Sequence, residues 1–311
     1  RVSCVGWVEA FSDYIELMSL VNFCNELDIG ANALSAATID AMTDAERHAP
    51  SARELLLKLL LARANHALDA ADAIRACALF GITANSVRVA LNRLLVSGLV
   101  ESVGRGQYRL GPAGAATGRE VAQWRQVASR LQPWDGSWVM ALPPRGERKA
   151  MRDGQRALDM LGFRALDAGL YVRPDNLAGS VPRMRQRLLD LGLDANAHVL
   201  QARELDAARE AQARRLWDTK AIAAGYTRTQ RLLKASLARL PQLPPDEAAR
   251  VAWHDGDAAI RQLVFDPLLP EPLVSTATRD AFIASVVAYD QAGLAIWRRV
   301  LDAPAPADAQ A

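Results

Sequence analysis

The chain has 311 residues, 50% of them apolar and 23% charged, with 19 Gly, 15 Pro and a formal charge of +2. That balance suits a globular protein of two, at most three, domains and excludes a fibrous or disordered chain. The apolar N-terminal run is broken by Glu16, Asn22 and Asn25, so neither a spanning helix nor a secretory signal is read, and the cytoplasm is the expected location.

Cysteines 4, 24 and 77 are too few and too scattered for a disulfide framework or a CxxC site. His48, His66, His198 and His254 stand at no ligand spacing, so no metal and no cofactor is expected. Charge is unevenly spread. Residues 1–50 carry eight acids against Arg1 and Arg47, and form an acidic extension of uncertain order, whereas residues 51–117 carry eight bases against four acids. A basic segment is compatible with a polyanionic partner.

The clearest local grammar begins at Ser51. Ser51 and Glu54, ahead of Leu55, Leu56, Leu57, Leu59 and Leu60, form a capping box that starts a helix. Asp69 is placed to cap a second short helix ended by Gly81, and Thr83 a third that runs to about Ser97 before Gly98. Two helices separated by Gly81-Ile82 are a helix-turn-helix connection. On the third helix Val87, Leu91, Leu94 and Leu95 make one apolar stripe, which turns Asn85, Arg88, Val89 and Asn92 outward, with Thr83, Ser86 and Arg93 beside them. Arg reads guanine, Asn reads adenine and a small apolar side chain meets the thymine methyl. Residues 99–103 and 107–110 then read as two strands around a glycine turn with Arg105 at its tip. Caps, turn, stripe and hairpin stand in the order of a winged helix-turn-helix over 51–117. Arg105 would lie over the minor groove or the backbone, and Gln107, Tyr108 and Arg109 would bond phosphate oxygens. The competing reading is a helical subdomain with a merely solvated polar face.

Residues 118–131 read as a linker helix (118–132) with a seam of Val121, Trp124, Ala128 and Leu131, packing on its own domain or pairing two subunits. From about Pro133 the order is strand (138–142), helix to Leu161, strand (163–166), strand (170–173), helix beyond Pro182 to Leu191, and strand (198–202). This β-α-β-β-α-β order is ferredoxin-like and spans 133–205. Residues 206–303 read as a helical effector and dimerisation domain interrupted by the rigid turn Asp266-Pro267-Leu268-Leu269-Pro270, and 304–311 as a disordered tail. The fold class is therefore α+β, with a winged helix, a ferredoxin-like domain and a helical domain in sequence.

The chain resembles the PaaX-like family of bacterial repressors of aromatic-acid catabolism, named for phenylacetate degradation. The resemblance runs from about Ser51 to Leu301 and is carried by 81–94, 98–100 and 104–110, by Trp134-Asp135-Gly136-Ser137-Trp138, Leu161-Gly162-Phe163, Gly169-Leu170-Tyr171-Val172-Arg173-Pro174 and the turn 266–270. It implies a homodimeric repressor of a phenylacetate-type operon that binds double-stranded operator DNA. An aryl-CoA thioester such as phenylacetyl-CoA would release it, and no membrane partner is implied. The central domain would be similar to the CRISPR-associated ferredoxin-like nuclease, which places an acid at the end of its first strand. Here the chain reads Ala141-Leu142-Pro143-Pro144, leaving cleavage without an anchor. A second departure is Asp257-Ala258-Ala259-Ile260 before the Asp-Pro turn, where the family often has a His-aromatic-Arg run.

A polyphosphate effector needs a basic site. Arg148, Lys149, Arg152 and Arg156 on the first central helix, or Arg183, Arg185 and Arg187 on the second, can supply charge, with Arg173 and Arg261 further candidates. Trp134, Trp138 and Trp217 are candidates to flank an aromatic acyl group, core packing being the competing role of each. No GxSxG, HExxH or P-loop occurs, so no catalytic residue is assigned and no enzyme is read. The alternatives are a regulator of the same family with a different effector or none, and, further off, an enzyme such as a nuclease.

Overall fold

A computed structural model describes residues 50–62, 67–112 and 123–302. The acidic extension up to residue 49, with Cys4, Cys24 and His48, lies outside the described residues, as do His66, the start of the linker helix with Val121, and the tail.

Helix α1 (Ala52–Ala62) starts where Ser51 Oγ accepts the Glu54 amide at 3.2 Å. Only this half of the capping box forms. Glu54 instead takes the Lys58 ammonium at 2.6 Å one turn further on, an i,i+4 pair that competes with reaching back to Ser51. Helix α2 (Ala70–Ala78) is capped by Asp69 Oδ1 on the Ala71 amide at 2.8 Å, and α3 (Ala84–Val96) by Thr83 Oγ1 on the Ser86 amide at 3.2 Å. Between them Gly81 sits at φ +73°, a left-handed conformation that reverses the chain within a few residues.

Strand β2 (Val100–Gly104) and β3 (Gln107–Leu110) pair antiparallel around Arg105 and Gly106. A strand that the sequence pattern does not announce, β1 (Leu68–Asp69), joins the outer side of β3 through Leu68 opposite Tyr108. Two residues are too few to show alternation. The five leucines of α1, Ala73, Ala76 and Cys77 of α2, and Val87, Leu91 and Leu94 of α3 form one core. Ala249, Trp297 and Leu301 from the C-terminal helices complete it.

The linker segment differs from the expected helix. It is a 3-10 turn (Gln123–Gln126) followed by one turn of helix, α4 (Val127–Arg130). At three residues per turn Trp124 and Val127 face the same side and are buried, while Ala128 of the expected seam is exposed. Leu131 makes an isolated antiparallel bridge to Leu177, outside the sheets.

The central elements are β4 (Trp138–Leu142), α5 (Arg148–Met160), β5 (Arg164–Asp167), β6 (Leu170–Pro174), α6 (Ser180–Asp190) and β7 (His198–Ala202). Their sheet order, β5-β6-β4-β7 with every pair antiparallel, is the ferredoxin-like arrangement. Helix α6 begins two residues before Pro182, which occupies the first turn where a missing N–H has no intrahelical partner to lose.

The remainder is helical: α7 (Ala207–Arg214), α8 (Thr219–Arg239), α9 (Pro245–Val264) and α10 (Thr276–Asp302). The 266–270 turn between α9 and α10 is buried along its whole length. A Cβ on Gly162, which has φ +77°, would stand 2.7 Å from Pro267 Cα, so this close approach requires glycine. Trp138 and Phe163 of the ferredoxin-like unit and Tyr226, Phe282 and Tyr289 of the helices belong to one continuous core.

Candidate functional site

Helix α3 buries Val87, Ala90, Leu91 and Leu94, and the same periodicity leaves Asn85, Ser86, Arg88, Val89, Asn92 and Arg93 exposed. Arg105 stands exposed at the hairpin tip beside exposed Gln107. Among the described residues Arg88, Arg93 and Arg105 have no ion-pair or hydrogen-bond partner, so their guanidinium groups face solvent uncommitted. The other candidates are differently placed. Thr83 and Ser86 bond each other at 2.9 Å in the cap, Arg109 is paired with Glu101, and Tyr108 is half-buried against the first core.

The connection between α2 and α3 is seated on the C-terminal helices, a feature with no sequence signal. Phe80 stacks on Trp297 at 6.3 Å and meets Trp253 edge-on at 5.9 Å. Lys58 lies over the Trp253 ring at 5.3 Å and bonds Asp257 at 2.7 Å, and Asp257 also pairs with Arg261 at 2.5 Å. Arg261, a candidate for effector binding, is thus part of the seat. Asp257-Ala258-Ala259-Ile260 is the segment that departs from the family pattern, and its aspartate joins α9 to α1.

The remaining effector candidates do not converge. Trp138 is fully buried, stacks on Trp217 at 6.3 Å, meets Trp134 edge-on at 5.1 Å and donates Nε1 to Glu210 at 2.8 Å. Trp217 donates to the Gly162 carbonyl at 3.3 Å, and Arg214 covers Trp134 at 4.9 Å. These three rings are the joint between the sheet and the helices that follow it. Arg148 and Arg152 are exposed on α5.

Arg173 is the exception, because it is 2% exposed and lines a cavity. Its guanidinium donates to the carbonyls of Leu161, Pro174 at 3.2 Å and Pro267 at 3.4 Å, and to Asn176 Oδ1 at 3.3 Å. Burial, then the nearby Arg187 and Arg130, lowers its pKa to about 9. Asp266, also buried, accepts the Tyr226 hydroxyl at 2.8 Å and the Leu268 amide at 2.7 Å. Burial outweighs both bonds and raises its pKa to about 6. Among the described residues no cluster of three or more His, Cys, Asp or Glu is arranged to hold a metal, and no helix is long and apolar enough to cross a membrane.

Residues 131–214, which hold the whole βαββαβ unit, match the family described as the PaaX protein central Cas2-like domain. The chain carries a PaaX central domain. The resemblance read from the sequence is borne out over these residues, and the ferredoxin-like sheet order is the architecture expected of this PaaX domain. The structure is also similar to the uncharacterized protein Rv0674 from Mycobacterium tuberculosis, with a TM-score of 0.55 and 23% identity, covering 80% of this chain and 98% of that one. At that identity the likeness speaks for the fold alone. No curated protein matches the chain.

Proposed function

We propose that this PaaX-like protein is a DNA-binding transcriptional regulator. Residues 51–117 act as a winged helix-turn-helix, 118–132 as a linker, 133–205 as the ferredoxin-like domain and 206–303 as the helical domain for effector response and dimerisation. The observation that carries the reading is the outward face of α3, where Asn85, Arg88, Val89 and Asn92 are exposed together, adjoining a hairpin with Arg105 at its tip. In this reading α3 enters the major groove, Arg88 and the two asparagines read base edges, and Val89 meets thymine methyls. Thr83, Ser86, Arg93, Arg105, Gln107, Tyr108 and Arg109 hold phosphate or the minor groove. Arg109 would have to exchange Glu101 for a phosphate, so its contribution is smaller than that of Arg105.

A homodimer presents two such heads to half-sites about one helical turn or a multiple apart. The PaaX central domain supports repression of a phenylacetate-type operon relieved by an aryl-CoA thioester. The mechanism is a population shift, in which the effector prefers a spacing of the two heads that does not fit the operator. The seat of the reading head on α9 and α10 offers a route, because any shift of those helices moves Phe80 and the turn before α3. A regulator responding to another ligand is the second reading, favoured by the closed packing of Trp134, Trp138 and Trp217.

Fluorescence anisotropy with DNA upstream of the protein's own operon, with and without phenylacetyl-CoA and at two salt concentrations, tests these readings. Tight, salt-dependent binding released by the thioester is expected. Binding that ignores the thioester removes the aryl-CoA effector, and absence of binding removes the regulator reading.

A further inference from the structure

Helix α8 carries five bases, Lys220, Arg228, Arg231, Lys234 and Arg239, and no acid. Its neighbours are mixed: α9 has four acids against two bases, and α10 three against three. The inward side of α8, with Tyr226, Thr229 and Ser236, is buried against α9 and α10. Helical periodicity therefore places Lys220, Thr227, Arg231 and Lys234 on one outward face, and all four are exposed. Arg239 is exposed beside that face, and Arg228 is half-buried with no hydrogen-bond partner for Nε. Among the described residues none of the five bases is in an ion pair, and the hydrogen bond of Arg231 goes to the Thr227 carbonyl of its own helix at 3.4 Å. Like charges three residues apart, as in Arg228 with Arg231 and Arg231 with Lys234, repel and weaken their helix, so this face gains from a partner of opposite sign. A second copy of the same face would bring like charge. A lipid surface needs an apolar side beside the charge, and the apolar side of α8 is packed on α9 and α10.

The direction of the helix points to the partner. Ser236 bonds Asp255 and Thr229 bonds Gln262, both at 2.6 Å, so α8 and α9 run antiparallel. Asp255 is two residues from Trp253, which meets Phe80 of the reading head, and Arg250 donates to the Leu79 carbonyl at 3.4 Å. The basic face thus runs from Lys220 toward the reading head and reaches its level at Lys234 and Arg239. Exposed Arg298 and Arg299 follow Trp297, itself part of the core of that head. The nearby acids Asp246 and Glu247 stand in the first turn of α9, where the N-terminal amides of their own helix favour them. We propose that the outward face of α8 is a second DNA surface, which holds the phosphate backbone of duplex flanking the site read by α3. At 1.5 Å per residue Lys220 and Lys234 stand about 21 Å apart along the axis, a length over which duplex DNA carries about twelve phosphate charges. Such contacts position the protein and carry no sequence preference. The inference rests on the regulator reading and extends it by a surface outside the winged helix.

The test is fluorescence anisotropy of the full chain over a series of salt concentrations. It uses two duplexes from upstream of the protein's own operon, the shortest that binds and the same one lengthened by about two helical turns at each end. The unmodified chain is expected to bind the longer duplex more tightly and with the steeper salt dependence. The triple variant Lys220→Gln, Arg231→Gln, Lys234→Gln changes exposed side chains alone. It should bind the short duplex as before and lose about tenfold on the long one at low salt, its salt slope falling by about 0.9 for each phosphate contact removed. Should the triple variant unfold, the three single variants read the same slope, each lowering it by about one. Equal binding and equal slope in variant and unmodified chain overturn the proposal, as does equal loss on both duplexes. Intact DNA binding with an unfolding midpoint lowered at low salt overturns it too, and assigns the face to the acidic residues 1–50 instead. Binding that the variant keeps in full sinks the α8 surface alone, whereas no binding of either duplex by the unmodified chain sinks the regulator reading and this surface with it.

Discussion

Replacing Asp266 by Asn should change the pH dependence of stability more than stability at any one acid pH. The Asp266 carboxyl is held at about 6 in the folded protein against an ordinary 3.8, with burial as the leading cause. A raised folded pKa means that the folded protein binds the proton more tightly than the unfolded chain. The stabilisation from this group is therefore complete below about pH 4 and is lost as pH rises through about 6. With each pH unit between those two values worth about 1.4 kcal/mol, the difference between acid and neutral pH comes to about 3 kcal/mol. Asparagine keeps an Oδ1 acceptor for the Tyr226 hydroxyl and the Leu268 amide, 2.8 and 2.7 Å away, but has no charge to bury. Urea unfolding of both proteins at intervals from pH 4 to pH 8 should show the gap between them widening in favour of the variant by about 3 kcal/mol. Two parallel profiles would refute the claim that burial controls this carboxyl.

Arg88→Ala should cost about 1–3 kcal/mol on the cognate site and relax sequence preference in anisotropy titrations, whereas equal loss on random DNA would make Arg88 a phosphate contact. Arg105→Ala should weaken binding uniformly and lower the salt slope by about one; an unchanged slope contradicts its backbone role. Gly162→Ala, which needs a left-handed conformation and meets Pro267 Cα at 2.7 Å, should destabilise by about 2–4 kcal/mol in chemical denaturation, and near-neutral stability would show that the 266–270 turn yields. Cys77 is buried with its thiol pushed up to about 11. In a Cys4→Ser, Cys24→Ser background it should react with a thiol reagent only at the rate of unfolding, and fast labelling of the folded chain would contradict its burial.

Local rules wrote much of residues 51–110 into the sequence. Ser51, Asp69 and Thr83 each sit ahead of an apolar run, and a cap needs nothing beyond its own helix, so all three bonds form as read. The outward face of α3 is equally legible, because a stripe at 3.6-residue spacing leaves only one side for Asn85, Arg88 and Asn92. The βαββαβ order follows from alternating periods, and the ferredoxin-like sheet order from the few ways such a chain closes. Periodicity failed at the linker, where the α-helical seam of Trp124, Ala128 and Leu131 assumes 3.6 residues per turn throughout and residues 123–126 take three before a single α-helical turn.

What tertiary structure decided is every contact between segments far apart in sequence. Trp134, Trp138 and Trp217 read equally well as a ligand cage or as packing, and the Glu210 and Gly162 bonds make them a joint. Arg173 carries no mark in the sequence of being the buried centre of a cavity. Its setting is assembled from Leu161, Asn176 and Pro267, and the other two arginines of the cavity, Arg130 and Arg187, come from the linker and from α6. Phe80 likewise looks like the end of a short helix, yet its ring packs on Trp253 and Trp297 of the C-terminal helices. Caps, turns and stripes are set by neighbours in the chain, while burial of charge and the joining of cores depend on which surfaces meet, and that is decided only when the whole chain is packed.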